Sequence, residues 1–189
     1  MMNLKRTLTT AVLTLASFSL TALAQAPAQP QFQLCKGIFA LCTFSQCEPI
    51  MILDSPLLFS CGCTVHRDEW SAGTQACAGE EKVPGKGQLI RSRYYPNFTT
   101  YARCSNNRSW AMCLDSPCII DKNDPTKAQC TCSVVQGQGD YLVQPGTDQC
   151  SKGAISSATV VDLDQITDFL ETQPNLSPPN ITVVNVKPK

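Results

Sequence analysis

Histidine is nearly absent from this sequence, since the 189 residues include only His66. One imidazole leaves little scope for general acid and base catalysis, and no serine stands in a nucleophile-elbow motif that His66 could serve. The Cys-x-x-Cys and Cys-x-x-Cys-His motifs are missing as well, which excludes the usual thiol-redox and haem-attachment signatures. We therefore predict no catalytic residue, no cofactor and no bound metal. An enzyme would need carboxylates such as Asp68 and Glu69 in a pocket with shifted pKa values.

An excess of charge of either sign is also absent, because 15 Lys and Arg residues balance 15 Asp and Glu residues. A near-neutral chain gives no electrostatic reason to expect nucleic acid or an anionic membrane as a partner. After residue 24, no apolar run approaches the length of about 20 residues that a membrane-spanning helix needs. We therefore expect no nucleic-acid partner and no membrane span after signal cleavage.

The first 24 residues have the pattern of a secretory signal peptide. Lys5 and Arg6 precede an uncharged, mildly apolar run over residues 8–23, and Ala22-Leu23-Ala24 fits the small-residue rule for signal peptidase. A membrane anchor is the alternative, but six Thr and Ser residues interrupt the run. We predict cleavage after Ala24 and export to the periplasm or the extracellular space.

Cysteine is abundant, and its twelve residues fall into two sets of six in the same order. The first set has the spacing C-x6-C-x4-C-x13-C-x-C-x13-C and the second C-x8-C-x4-C-x11-C-x-C-x17-C, so two inner gaps are identical. Differences in the other gaps are typical of loops that vary in length. The sets are Cys35, Cys42, Cys47, Cys61, Cys63 and Cys77, and Cys104, Cys113, Cys118, Cys130, Cys132 and Cys150. The pattern predicts two homologous six-cysteine modules.

Disulfide bonds are the predicted state of all twelve cysteines. Export brings thiols into an oxidising compartment, and modules of about 45 residues bury too little apolar surface to be stable without cross-links. A metal-thiolate protein is the alternative, but zinc sites normally use Cys-x2-Cys spacing and histidine. Cysteines at positions i and i+2 of a strand share a face and do not bond to each other, which removes three of the roughly 15 pairings open to each set. The remaining pairings stay open.

The residue pattern predicts a small, disulfide-rich, mainly β fold that ends in an α-helix and a short strand. In the first module, strands are expected over residues 37–44, 49–53 and 57–65, with a turn at 54–56. In the second module, strands are expected over residues 118–121, 127–135 and 141–143, with a turn at 122–126. Trp70 and Trp110 are expected in the core.

An amphipathic helix is predicted over residues 156–173, with Ser156 or Ser157 as its N-cap. Leu163 and Leu170 lie on one apolar stripe, and Pro174 ends the pattern. A final strand is expected over residues 181–186. The helix region is acidic, so we expect it to dock near the basic segment described next.

Residues 80–103 form a connector that is basic and aromatic. After Glu81 it contains five Lys and Arg residues and no acid, together with three tyrosines and a phenylalanine. Such a strip can bind phosphate, a carboxylated glycan or single-stranded nucleic acid. Alternatively, the tyrosines pack between the modules and the arginine stems cover them. The candidate binding residues are Arg91, Arg93, Tyr94, Tyr95, Tyr101 and Arg103.

Composition divides the chain into six segments. They are a signal peptide at residues 1–24, a flexible N-terminal segment at 25–33, module 1 at 34–79, the connector at 80–103, module 2 at 104–153, and the C-terminal helix and strand at 154–189. Without catalytic residues, we predict an exported structural or ligand-binding or protein-binding protein, whose partner is an extracellular or periplasmic protein or an anionic glycan. The alternative is a secreted inhibitor or toxin-like protein that presents a constrained loop, such as residues 122–127 or the connector.

Overall fold

The computed structural model describes residues 31–52, 55–85, 87–174, 176 and 180–185. The predicted signal peptide and most of the N-terminal segment lie outside these residues. The described part of the chain is mainly β, with twelve strands and one helix. No helix within the described ranges is both long enough and apolar enough to cross a membrane.

The strands form two sheets. Their bounds are β1 Gln33–Leu41, β2 Gln46–Ile52, β3 Ser55–Gly73, β4 Glu81–Val83, β5 Gly87–Arg91, β6 Thr100–Cys104, β7 Trp110–Met112, β8 Pro117–Ile120, β9 Lys127–Val135, β10 Tyr141–Val143, β11 Ala154–Ile155 and β12 Thr182–Asn185. Nine strands form the large sheet in the order β11-β2-β3-β9-β8-β5-β4, with β1 also on β3 and β7 also on β9. The small sheet has the order β10-β6-β12, in which β12 runs parallel to β6.

The two Cys-x-Cys strands, β3 and β9, are direct neighbours at the centre of the large sheet. They run antiparallel, and their register places Cys61 opposite Cys130. Because side chains alternate along a strand, the cysteines of both strands turn to one buried face, while Gly62 and Thr131 lie exposed on the other. This pairing joins the two cysteine sets in one continuous sheet.

Residues 33–77, the first half, and residues 100–150, the second half, have matching strand registers around the second to fifth cysteines. The registers near the first cysteines differ, because Cys35 pairs with Ser71 in the large sheet and Cys104 pairs with Tyr141 in the small sheet. Before the second cysteine, Leu41 pairs with Thr64, and Met112 pairs with Ser133. The third and fourth cysteines are opposite each other in both halves. The fourth cysteines of the two halves then face each other, so the β3–β9 register is unchanged when the two strands are exchanged.

The disulfide bonds of the two halves follow one nested scheme, in which the first cysteine bonds the sixth, the second the fifth and the third the fourth. The bridges are Cys35–Cys77, Cys42–Cys63 and Cys47–Cys61, and Cys104–Cys150, Cys113–Cys132 and Cys118–Cys130. Their Cα–Cα distances are 5.5, 4.6 and 4.2 Å in the first half and 5.7, 4.6 and 4.0 Å in the second. The prediction that all twelve cysteines form disulfides is confirmed, as is the absence of a bond within either Cys-x-Cys pair.

Each half also passes a segment to the other. After Cys77 the chain continues into β5, which pairs with β8 of the second half. After Cys150 it continues into β11, which pairs with β2 of the first half. Residues predicted as the connector therefore include two strands, β4 and β5, and all of β6 except Cys104. The exchange adds further backbone hydrogen bonds between the halves beyond those of β3 and β9.

Several strand ends differ from the sequence prediction. The strand expected over residues 57–65 is longer at both ends, because β3 begins at Ser55, where a turn was expected, and continues to Gly73. β1 begins at Gln33 and ends before Cys42. In the second half, the hairpin of β8 and β9 and the short β10 confirm the predicted order. Trp110 is buried as predicted, but Trp70 is only half-buried, with Lys36 over its ring.

The helix α1 spans Val160–Glu171 and is capped by Thr159, not by Ser156 or Ser157. The Thr159 side chain accepts a hydrogen bond from the Asp162 N–H, and the Asp162 carboxylate accepts one from the Thr159 N–H, which makes a capping box. The helix buries Leu163, Ile166 and Leu170. Its apolar face packs against Tyr94 and Ala72, so it contacts the connector through apolar side chains. No ion pair within 4 Å joins a helix acid to a connector arginine in the described ranges.

Candidate functional site

Eight of the twelve cysteines form a sulfur-rich core under the β3–β9 pair. They form the second–fifth and third–fourth bridges of the two halves, and all are buried. The Sγ atoms of Cys42 and Cys130, which belong to different bridges in different halves, lie 3.4 Å apart. The core therefore includes bridges of both halves, and it lies beneath the surrounding loops.

A cavity of about 190 Å³ lies beside this core. Two turns form part of its wall, and each turn follows the second cysteine of its half: Cys42 to Phe44 in the first half, and Cys113 with Leu114 in the second. The turns have the same hydrogen bond, from Ser45 N to Cys42 O and from Ser116 N to Cys113 O, both 3.0 Å. The cavity thus lies where equivalent turns of the two halves approach each other.

The same turns contain a residue in an unfavourable backbone conformation. Phe44 and Asp115 stand two residues after the second cysteine of their halves, and each has a φ of 58°. Side chains other than glycine adopt this left-handed region at a cost of about 1 to 3 kcal/mol, and such residues cluster at functional sites. Phe44 lines the cavity directly, and Asp115 contacts the cavity residue Arg93.

Two buried serines attach the exchanged segments to these turns. The Ser92 hydroxyl donates to Cys113 O, and its N–H donates to Ser116 O. The Ser156 hydroxyl donates to Cys42 O, and its N–H donates to Ser45 O. Ser92 and Ser156 both line the cavity. Each serine therefore links a turn of one half to the segment that follows the other half in the sequence.

The remaining wall of the cavity has no equivalent in the other half. It is formed by α1 and by the connector tyrosines. Ile166 and Gln165 of α1 line it, as do Tyr94 and Tyr101. The two tyrosine hydroxyl oxygens lie 3.4 Å apart. Burial raises the pKa of Tyr94 well above the ordinary value and raises that of Tyr101, and the neighbouring tyrosine raises that of Tyr94 further. Both side chains are therefore neutral hydrogen-bonding groups.

One buried ion pair stands at the edge of the cavity. Arg93 and Asp115 have side chains only 4% and 8% exposed, and Arg93 Nη1 lies 3.5 Å from Asp115 Oδ1. Arg93 also donates to Gln33 O and Gln75 O, at 2.7 and 3.1 Å. Desolvation lowers the pKa of Arg93, and the charge of Asp115 partly offsets this effect. The Arg93 Nε, in contrast, is buried without a hydrogen-bond partner among the described residues.

The six predicted binding residues have different environments. Arg93, Tyr94 and Tyr101 line the cavity. Arg91 is exposed and donates to Asp115 O at 3.1 Å, and Tyr95 is 37% exposed. Arg103 pairs with Asp140 at a distance of 3.5 Å. The strip is therefore divided: three residues surround the cavity, and the others lie apart from it. Whether the exposed ones bind an anionic glycan stays a prediction.

His66 lies apart from this cavity, on β3. Its ring stacks on Phe39 with a centroid distance of 5.3 Å, and its Nδ1 lies 3.1 Å from Glu69 Oε2. The register places Val135 at the equivalent position of the second half. The two groups of closely spaced metal-type side chains in the described structure consist of cysteines that are already in disulfides, and such sulfur offers no thiolate to a metal.

Sequence reasoning missed Ser92, Ser156 and the two turns that build the cavity. The one available signal was the C-x4-C spacing, which is identical in both halves and encloses the turns. The serines carry no such signal, because their partners are about 21 and 114 residues away. Comparisons of the chain with protein-family models, with curated proteins and with solved structures found no match.

Proposed function

We propose that this protein is an exported, non-enzymatic binding protein made of two homologous disulfide-stapled modules, and that the cavity between them takes a small apolar ligand. The observation that carries the proposal is the position of the cavity: equivalent turns of both halves line it, and α1 with the connector tyrosines closes it. Apolar concave sites with a few polar groups are the usual form of small-molecule sites.

Three further observations support parts of this proposal. The matching registers around the inner cysteines and the nested bridges of the two halves favour a gene duplication, because independent origins would not reproduce both. Six disulfides are typical of proteins that fold in an oxidising compartment, which favours export. His66, the chain's one histidine, does not line the cavity, which favours binding over catalysis.

The size of the cavity limits the ligand. An apolar cavity of about 150 Å³ accepts benzene, and this cavity measures about 190 Å³. A ligand with one ring and a small substituent therefore fits, whereas a long acyl chain or a peptide would have to extend into solvent.

Binding of ethylbenzene tests the proposal. Backbone amide spectra of the full oxidised protein, recorded during titration with ethylbenzene, should show saturable shifts at Phe44, Leu114 and Ile166. Ala158 lines the cavity, so Ala158→Leu, which adds three carbon atoms there, should weaken binding at least about tenfold. The matched control is Val161→Leu, because Val161 is on α1 but 61% exposed. Equal binding by both variants, or no saturable binding to the unchanged protein, would contradict the proposal.

An inhibitor is the second candidate, and the β8–β9 loop favours it. Cys118–Cys130 closes the base of this loop. Within it, Asp121 N donates to Lys127 O at 2.9 Å, and the Asp124 carboxylate lies 2.9 Å from Lys127 Nζ. The pKa of Asp124 is lowered to about 2, mainly by hydrogen bonds from Thr126 and to a smaller extent by the contact with Lys127. A pre-organised, exposed loop loses little entropy on binding.

This inhibitor candidate predicts stoichiometric inhibition of a trypsin-like protease, and the inhibition should be lost in the variant Lys122→Ala. Failure to form a one-to-one complex would exclude it.

A further inference from the structure

We infer that the ligand of the cavity is a neutral molecule with an apolar, ring-sized body and one hydrogen-bond acceptor, such as the carbonyl oxygen of a ketone or ester. This inference rests on the proposed function and specifies its ligand class. It follows from the partners that the charged groups at the cavity already have and from a tyrosine hydroxyl hydrogen that is left without an acceptor.

The charged groups at the cavity already have partners. Arg93 and Asp162 are the charged residues that line it within the described structure. Arg93 is paired with Asp115, and the Asp162 carboxylate accepts hydrogen bonds from Thr159 N and Oγ1 at 2.9 and 2.7 Å. An anionic ligand would meet the carboxylate of Asp162 beside a guanidinium that Asp115 already compensates. A cationic ligand would meet Arg93 and would have to compete with Thr159 for the Asp162 carboxylate. Burying either charge in this apolar site is therefore costly.

One donor beside the cavity, in contrast, lacks an acceptor among the described residues. Tyr94 and Tyr101 line the cavity and share one hydrogen bond, so whichever hydroxyl donates, the other keeps its hydrogen for a further acceptor. A buried donor without an acceptor destabilises the protein, and a ligand oxygen that accepts from it removes that penalty. This hydroxyl therefore favours a ligand with an acceptor over a pure hydrocarbon.

Four probes of nearly equal size separate the possibilities. At neutral pH, acetophenone is neutral with one acceptor, ethylbenzene is neutral without one, benzoate is an anion and benzylamine is a cation. We expect the full oxidised protein to bind acetophenone tightest, and benzoate and benzylamine at least about tenfold more weakly. The measurement is the dissociation constant from amide shifts or calorimetry.

The tyrosine hydroxyls provide the second test. The double variant Tyr94→Phe, Tyr101→Phe keeps both rings but removes both hydroxyls. It should weaken acetophenone binding about fivefold to tenfold and leave ethylbenzene binding unchanged or stronger. The matched control is Tyr95→Phe, because Tyr95 belongs to the same segment but does not line the cavity.

The outcomes separate this inference from the proposed function. If ethylbenzene binds but acetophenone has no advantage over it, the ligand class is wrong and the apolar site stands. If benzoate or benzylamine binds tightest, the cavity selects a charge and the inference is overturned. If no probe binds, the proposed function fails with it. The ranking of the four probes on the unchanged protein decides the inference even if the double variant does not fold.

Discussion

At the scale of single residues, two ion pairs of equal length have opposite environments. Arg93–Asp115 and Arg103–Asp140 both measure 3.5 Å between nitrogen and oxygen. The side chains of the first pair are 4% and 8% exposed, whereas those of the second are 41% and 38% exposed. Water screens the second pair and solvates its members separately, but it cannot do this for the first. The two pairs therefore differ in burial, and Asp115 also accepts hydrogen bonds from Thr74 N and Oγ1 at 2.6 and 2.9 Å.

We predict that Asp115→Asn lowers the free energy of unfolding by about 3 to 5 kcal/mol, because it leaves the guanidinium of Arg93 buried without a counter-charge. The same change at the exposed pair, Asp140→Asn, should cost less than about 1 kcal/mol. Urea unfolding of the oxidised variants measures both values. Similar losses in the two variants would show that burial of the first pair does not matter.

Alkaline pH should destabilise the protein through its buried tyrosines. Burial raises the pKa of Tyr94, Tyr101 and Tyr141 in the folded protein. The folded state therefore holds these protons more tightly than the unfolded state does. The resulting stabilisation is complete below the ordinary tyrosine pKa of about 10 and is lost as pH rises above it. Phenolate absorbance should increase near pH 10 for the urea-unfolded chain, and only together with unfolding for these three residues in the native protein.

The identity of the cavity residues could be only partly predicted from the sequence. The connector was recognised as basic and aromatic, and three of its six candidate residues do line the cavity. Its composition could not show which arginine is buried, because that depends on Asp115 and on Gly73. A Cβ at Gly73 would lie 2.9 Å from Arg93 Cζ, so the absence of a side chain there lets the ion pair form. Both partners are distant in sequence.

At the scale of elements, helix α1 shows why a periodic pattern predicts a helix better than its first residue. The apolar stripe placed Leu163 and Leu170 correctly on the buried face. Ser156 and Ser157, the expected caps, use their hydroxyls instead on Cys42 O and on Leu142 O. These contacts depend on the tertiary structure, so the local sequence could not reveal them, and the helix begins one turn later.

We predict that Thr159→Ala destabilises the protein by about 1 kcal/mol, because it removes the side-chain oxygen that accepts from Asp162 N. Thr172→Ala is the control at the other end of α1, where the hydroxyl is exposed and donates to Phe169 O. The control should change stability by less than about 0.5 kcal/mol. Thermal and urea unfolding report both differences, and a control that loses as much as the N-cap variant would argue against the capping box.

At the scale of the whole molecule, the sequence predicted the amount of cross-linking but not its arrangement. Twelve cysteines indicated six bridges, and six are present. The duplication that their two matching sets predict stays a prediction. The nested pairing could not be chosen from spacing, since it requires that β2 and β8 each lie opposite their own Cys-x-Cys strand. Nor could spacing show that the two Cys-x-Cys strands pair with each other, which places both cysteine sets in one sheet.

This shared sheet predicts that removing one bridge weakens the whole protein and does not release one half. Cys47–Cys61 and Cys118–Cys130 are equivalent, and they close loops with separations of 14 and 12 residues. Chain-entropy arguments give each a contribution of about 3 kcal/mol. We expect the double variants Cys47→Ala with Cys61→Ala, and Cys118→Ala with Cys130→Ala, to lose similar amounts of stability.

Both variants should also unfold in a single transition, because β3 and β9 pair directly and the exchanged strands β5 and β11 connect each half to the other. Denaturant unfolding followed by tryptophan fluorescence, which reports Trp70 in the first half and Trp110 in the second, and by far-ultraviolet circular dichroism measures this. If one half unfolded first, the two probes would give different midpoints. In that case the bridges would stabilise each half separately, and the cavity would lose one wall while the other stayed folded.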